Sequence, residues 1–213
     1  MDIRIRAYRV TDRDSVREIA WATAFLGEPG DAFFTDKELL CDFLTGYFTD
    51  YEPQSCFVAE AQGRVVGYII GALDAGRVDS VSMRAILPRL VARLLWRGVF
   101  CRRRNRKLLF HLLKSFLKGE FFLPAFNREY PATLHINIAR GFRGQGTGGR
   151  LLSVFCDYLK SRRSPGVRLA TMSETAREFF SHAGFVLLAT RPRSYFRYLG
   201  RDLRVYILGK TLV

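Results

Sequence analysis

Leu134-His135-Ile136-Asn137-Ile138-Ala139-Arg140-Gly141-Phe142-Arg143-Gly144-Gln145-Gly146-Thr147-Gly148-Gly149-Arg150-Leu151-Leu152 is the stretch on which the fold turns. Its opening residues read as a β-strand, and Thr147 to about Ser161 reads as an amphipathic helix. Five glycines, at 141, 144, 146, 148 and 149, lie in the connecting loop and the start of that helix. Glycine lets a backbone turn tightly and approach a ligand without a Cβ in the way. The free N–H groups and dipole at a helix start favour an anion there. Arg140, Arg143 and Arg150 add positive charge. The segment reads as a pyrophosphate cradle. A Walker loop needs Gly-Lys-Ser/Thr, which is absent. Gly144-Gln145-Gly146-Thr147-Gly148-Gly149 matches the bare dinucleotide pattern. That pattern belongs early in a strand-helix-strand unit with an acid about 20 residues on, whereas here it comes late and Asp157 falls within the next helix.

Outward from this turn, residues 3–8 alternate apolar and charged as a half-buried strand. Thr11 is the expected cap of a helix reaching about residue 25, with Asp14 three residues on. Residues 26–34 read as a loop, and Asp36 caps a second helix to about residue 48. Residues 56–61 and 65–73 read as strands joined by a tight turn at Gln62-Gly63. After an unusual stretch at 75–130 come the 133–138 strand, the glycine turn and its helix. A strand at 167–172 follows, then a short helix at 174–182 stopped by Gly184, and strands at 185–190 and 204–208. Early hairpins and a later strand-helix-strand run predict one α/β domain over 1–213. Its central sheet is mixed and mostly antiparallel, with helices on both faces and a helical insert.

Arg143-Gly144-Gln145-Gly146-Thr147-Gly148 resembles the Arg/Gln-x-x-Gly-x-Gly/Ala signature of the GNAT superfamily of acyl-CoA N-acyltransferases. Downstream, Ser173-x-x-Ala176-x-x-Phe179-Phe180-x-x-x-Gly184-Phe185 is similar to that family's Asn-x-x-Ala-x-x-Leu/Phe-Tyr-x-x-x-Gly-Phe. The resemblance covers residues 3–73 and 134–212. It implies that the main-chain N–H groups of Arg143, Gly144, Gln145, Gly146, Thr147 and Gly148 hold the pyrophosphate of acetyl-CoA. It implies too that pantetheine pairs with the strand edge at Ile136 and Ile138, that Ser173 and Phe180 line the cofactor, and that the 133–138 and 167–172 strands splay apart. The implied activity is transfer of an acetyl group to an amine by direct attack in a ternary complex, with acetyl-CoA as co-substrate.

Such a reaction needs a neutral amine, although a lysine-like amine titrates near about 10.4, and it needs a donor for the thioester oxygen. The resemblance assigns that donor to the Ile138 N–H. His135 is the base candidate: it shares a strand face with Asn137 and titrates in the useful range. It reads equally as a strand histidine hydrogen-bonded to its neighbours. His182 is read as structural. Phe180 stands where the family's proton-donating Tyr would be, so water or another residue such as Tyr195 or Tyr198 must protonate the leaving thiolate. Otherwise the domain binds CoA without efficient turnover. Ser173, in place of the family's Asn, keeps one hydroxyl near the site. Glu28, Asp31 and Asp36 flank the loop that borders the acceptor in that family, and they read also as caps and solvated acids.

Net charge is +14, and residues 77–118 hold twelve basic residues against one acid, Asp79. Pro88 is the expected start of one helix there and Asn105 the cap of a second. Leu87, Leu90, Val91, Leu94 and Leu95 form one apolar face; Leu108, Leu109, Leu112, Leu113, Phe116 and Leu117 form the other. The pair reads as a helical hairpin with a cationic tip: a lid over the sheet, a surface for an anionic membrane or RNA, or a wall of the acceptor site. Cys41, Cys56, Cys101 and Cys156 are widely spaced and read as free thiols of a reducing cytosol. His111, His135 and His182 have no metal-ligand spacing, so no metal is expected. No secretory h-region opens the chain and no run reaches the roughly 20 apolar residues of a membrane span. A cytoplasmic protein, peripheral at the membrane if the insert binds lipid, is the expectation.

Overall fold

The computed structural model describes residues 3–122, 124 and 126–212; Met1 and Asp2 of the opening segment, Leu123 and Ala125 of the insert, and Val213 lie outside it. The strands are β1 (Ile3–Ala7), β2 (Cys56–Ala61), β3 (Arg64–Ala72), β4 (Ala132–Ile138), β5 (Gly166–Thr171), β6 (Val186–Arg193) and β7 (Leu203–Thr211). The helices are α1 (Arg13–Thr23), α2 (Lys37–Tyr51), α3 (Ala75–Val81), α4 (Leu87–Trp96), α5 (Arg103–Leu117), α6 (Thr147–Ser161) and α7 (Glu174–His182). The seven strands form one sheet in the order β1-β2-β3-β4-β5-β7-β6. Every pairing is antiparallel except β4 with β5. Gln62 and Gly63 both have positive φ, 51° and 73°, which matches the twist of the β2–β3 hairpin they close.

Period-two alternation divides the sheet between two cores. Leu134, Val167, Leu169 and Leu208 pack with Leu151 and Phe155 of α6 on one face. Val58, Tyr68 and Ile70 pack with Val16 of α1 and Phe48 of α2 on the other. Fully burying a Phe or Leu contributes about 1.5–3 kcal/mol. Gly71 is required where β3 passes under α6, because a Cβ there would lie 2.2 Å from Phe155 Cζ.

The helix caps depart partly from expectation. Asp36 does cap α2, its Oδ1 accepting the Leu39 N–H at 3.0 Å. Thr11 does not cap α1. It lies in a 3-10 turn, Val10–Asp12, and Asp12 precedes the helix. The buried Asp12 carboxylate accepts Arg6 and the Arg9 N–H, which turns the chain into α1 without a threonine cap.

The insert is helical but is built differently from its sequence pattern. Pro88 does stand in the first turn of α4, but that helix does not start from a loop: α3 runs into it through a π turn, Ser82–Ile86. A proline inside a helix removes one N–H, and its ring opposes the carbonyl four residues back. The wider π turn ahead of Pro88 accommodates both. Asn105 does not cap α5, because Arg102 holds that position. Asn105 is fully buried instead. Its Oδ1 accepts the Thr35 N–H at 3.0 Å, and its Nδ2 donates to Thr35 Oγ1 and the Val99 carbonyl, each at 2.8 Å. It ties the insert to the loop before α2. Asn105→Ala orphans buried partners and is expected to lower stability by about 2–4 kcal/mol, read by urea unfolding; a loss below about 0.5 kcal/mol would mean that water replaces these bonds. Asp42 of α2 receives both Arg17 of α1 and Arg93 of α4, and Asp36 receives Arg97 at 3.2 Å.

The apolar faces of α4 and α5 are only half used. Leu90 and Leu108 are buried against Phe33, Phe34 and Phe196, with Leu94 and Leu112 beside them. Leu87, Val91 and Leu95 on α4, and Leu113, Phe116 and Leu117 on α5, are exposed. The insert is therefore not a simple lid that buries all its apolar residues.

Candidate active site

β4 and β5 pair at only two positions, Ala132 with Val167 and Thr133 with Arg168, and then part. The Ala139 N–H donates to the Val66 carbonyl on the β3 side. Main-chain groups alternate along an antiparallel strand. The N–H and C=O groups of Ile136 and Ile138 therefore face the β5 side, into the opening left by the splayed strands.

That opening leads to the glycine turn. Arg140–Phe142 make one 3-10 turn, and Gly144 and Gly146 then take φ of +75° and +74°. These left-handed values set the chain for α6, with Gly146 at the N-cap. A Cβ on Gly144 or Gly146 would meet nothing within 4 Å, so open space lies before the helix start. The Arg150 N–H bonds back to the Gly146 carbonyl, which leaves the preceding N–H groups at the helix mouth. The Thr147 hydroxyl is buried and has no partner among the described residues. Unpaired donors, an orphaned hydroxyl and a positive helix end suit a phosphate oxygen.

The arginines of this turn are placed differently from the sequence expectation. Arg143 Nε donates to the Ile138 carbonyl at 2.9 Å and its guanidinium to the Gly27 carbonyl at 3.2 Å. Arg140 pairs with Glu28. Both clamp the end of β4 to the loop after α1, beside a cavity of about 370 Å³ lined by Glu18, Thr23, Glu28, Ala139, Arg140 and Arg143. Gln145 bonds to the Gly141 carbonyl at 3.2 Å and steadies the turn itself. Of the loop acids, Glu28 is thus paired, Asp31 accepts Arg104 on its carbonyl, and Asp36 is a cap.

His135 and Asn137 project to the opposite sheet face from Ile136 and Ile138, the face of α1 and α2. His135 is exposed to solvent. Its ring meets Phe48 edge-on at 5.6 Å and has no hydrogen-bond partner among the described residues. Desolvation lowers its pKa below 6.5, which leaves a neutral imidazole at pH 7. Asn137 donates to the Tyr68 hydroxyl at 2.8 Å. Across the splay, Ala170 of β5 is also exposed.

Ser173 caps α7, its Oγ accepting the Ala176 N–H at 3.3 Å. Tyr195 reaches the same end of β5, with its hydroxyl 3.4 Å from Met172 Sδ and its ring stacked on Phe121. Burial raises its pKa and keeps the phenol protonated. Tyr198 stacks on His111 at 4.9 Å, with a buried, unpartnered hydroxyl. Phe180 is buried in the core between Phe179 and Phe185, away from any open surface. His182 only bonds back to the Glu178 carbonyl at 2.9 Å. Tyr68 and Arg168 were not singled out from sequence. Tyr68 positions Asn137. Arg168 and Asp79 influence each other's ionisation across the β5–α3 boundary without touching: desolvation raises the carboxyl and lowers the guanidinium, and each opposes the other's shift. Alternation along β5, which sets Arg168 opposite Val167 and Leu169, is the signal that points to the first of that pair.

No family model and no curated protein sequence matches the chain. Solved structures do. SsHAT is 24% identical over the whole of both chains, with a TM-score of 0.77. The structure of yncA from Salmonella typhimurium with its cofactor acetyl-CoA is 14% identical, covering 100% of this chain and 95% of that one, at a TM-score of 0.58. An acetyltransferase of the GNAT family from Streptococcus pneumoniae is 16% identical over 99% of each chain, at a TM-score of 0.56. With its splayed β4 and β5 and the glycine turn that opens α6, this chain has the fold of the GNAT acyltransferases.

Proposed function

We propose that the protein is an N-acetyltransferase that moves an acetyl group from acetyl-CoA to an amine. The observation that carries this reading is the splay itself. It leaves the main-chain groups of Ile136 and the N–H of Ile138 without a partner strand, along a path that ends at the Gly144–Gly146 cradle and the start of α6, while the Ile138 carbonyl is taken by Arg143. Gly144, Gly146 and Thr147 hold the pyrophosphate through main-chain N–H groups and the orphaned hydroxyl, and Ile136 receives the pantetheine amide. The Ile138 N–H donates to the thioester oxygen as charge develops there.

His135 acts on the acceptor side. Its neutral ring, free of other hydrogen bonds, takes the proton of the ammonium. The freed amine attacks the carbonyl carbon, a C–N bond forms, and the C–S bond breaks with its electron pair staying on sulfur. Tyr195, kept protonated by burial, returns a proton to the thiolate, in the role that Phe180 has no hydroxyl to fill. Asn137, fixed by Tyr68, and Ser173 border the same opening and orient the reactants.

Titration with acetyl-CoA is expected to raise the melting temperature, by the equivalent of about 2.7 kcal/mol at a hundred-fold excess over Kd. Incubation with a panel of primary amines is expected to release CoA thiol. Absence of any thermal shift would sink the reading. A shift without thiol release from any amine would favour a second one, a CoA-binding module without turnover, for which the buried Phe180 is the supporting observation.

A further inference from the structure

The insert leaves an unusual surface. Met83, Leu87, Val91 and Leu95 run at four-residue intervals along the outer side of α4 and its π turn, all exposed. The row ends at the α4–α5 turn, where Trp96 is 88% exposed and Phe100 is 40% exposed. On α5, Phe110, Leu113 and Leu117 repeat at helical spacing with exposures of 64%, 58% and 77%. Isolated exposed apolar residues are ordinary, but runs along two helices mark an interaction surface.

The charges around it are sorted. Of the twelve cations in 77–118, Arg93, Arg97 and Arg104 are engaged by the α2 side of the domain, at Asp42, Asp36 and the Asp31 carbonyl. The other nine, among them Arg89, Arg102, Arg103, Arg106 and Lys107, pair with no acid among the described residues. One helix side thus anchors the insert to the protein. The other presents aliphatic and aromatic side chains among unneutralised arginines and lysines.

We propose that this surface docks on an anionic lipid bilayer, with Leu95, Trp96 and Phe100 entering the headgroup boundary and Arg102, Arg103 and Arg106 facing lipid phosphates. Charge complementarity selects the occupant. A second copy would bring the same uncompensated positive charge against itself. RNA would satisfy the arginines and could stack on Trp96, but it offers nothing to Met83, Leu87, Val91, Leu95 and Leu117. A bilayer satisfies both groups: acyl chains take the aliphatic row, tryptophan prefers the interface, and cations gain near anionic headgroups. No helix among the described residues is long and apolar enough to cross a membrane, so the attachment is peripheral. The inference is independent of the acetyltransferase reading.

The test is co-sedimentation of the full chain with vesicles of phosphatidylcholine alone or with about a third phosphatidylserine. Expected are binding to the anionic vesicles only, weakening with salt, and a blue-shifted emission that Trp96→Phe removes while Trp21 remains. Each cation near such a surface is worth roughly five-fold in partitioning. Joint Arg102→Glu, Arg103→Glu and Arg106→Glu substitution is therefore expected to reduce binding by on the order of a hundred-fold or more, with acetyl-CoA thermal shift unchanged. Joint Leu87→Gln, Val91→Gln and Leu95→Gln is expected to remove the blue shift and leave a weaker, salt-sensitive attachment. These residues are exposed, so thermal melts of the variants should match wild type. Failure to bind anionic vesicles at low salt overturns the proposal. So does binding of single-stranded RNA that quenches Trp96 without vesicle binding, or a dimer by light scattering in which Trp96 is already shielded.

Discussion

Gly146→Asp is expected to weaken acetyl-CoA binding by on the order of a hundred- to a thousand-fold while the protein stays folded. Gly146 has φ of +74°, so any side chain there costs about 1–2 kcal/mol in backbone strain. The new Cβ meets nothing within 4 Å, so no clash adds to that cost. A carboxylate at the N-cap of α6 is itself favourable to the helix, by about 0.5–1 kcal/mol, which offsets part of the strain. The same carboxylate stands where the proposed phosphate would sit. Two like charges about 4 Å apart near a protein surface repel by about 4 kcal/mol, a factor near a thousand. Gly146→Asn separates charge from shape, because asparagine tolerates the left-handed backbone and is neutral. Its binding loss should be well below that of the aspartate. Calorimetric titration measures both, with circular dichroism to check folding. A folded Asp variant that binds acetyl-CoA like wild type would falsify the placement of the pyrophosphate.

His135→Ala is expected to lower kcat by about a hundred-fold or more and leave acetyl-CoA affinity unchanged. The ring has no hydrogen-bond partner among the described residues, so its removal orphans nothing, and the loss should appear in the chemical step. The pH dependence follows from desolvation. The folded pKa lies below the 6.5 of an ordinary histidine. In the wild type kcat should therefore hold as pH falls to 6.5 and decline only below it, and the Ala variant should lack that limb. Stability has the same sign. Between the unfolded pKa and the lower folded one, the unfolded chain binds the extra proton, so the wild type loses stability as pH falls through this window. The Ala variant should be flatter. Rates and melting temperatures that match wild type across about pH 5–9 would return His135 to a merely structural place.

Much of the fold was legible because its signals are local. The α6 and α7 boundaries, the Gln62-Gly63 turn and the Asp36 cap were each read from a few adjacent residues whose propensities, spacing and turn chemistry agree with the tertiary structure. The strand-glycine-helix run at 134–152 likewise carries its own instructions, since φ above zero at 144 and 146 calls for glycine whatever surrounds it. What depended on distant partners was not legible. Thr11 and Asp12 are both good caps in sequence; Arg6, brought alongside by β1, selects Asp12 for the turn. Asn105 looked like a cap until Thr35, seventy positions away in sequence, claimed its side chain. The Arg143 side chain read as counter-charge for a phosphate, but the Gly27 and Ile138 carbonyls hold its guanidinium as a clamp. Phe180 matched a cofactor-lining position and went instead into the core with Phe179 and Phe185. In the insert, periodicity identified the apolar faces but not how much protein would be present to cover them. Only the tertiary structure decided that, because burial depends on which surfaces the rest of the chain brings to meet a helix, and here it supplies enough to bury Leu90 and Leu108 but leaves Leu95, Trp96 and Leu117 exposed.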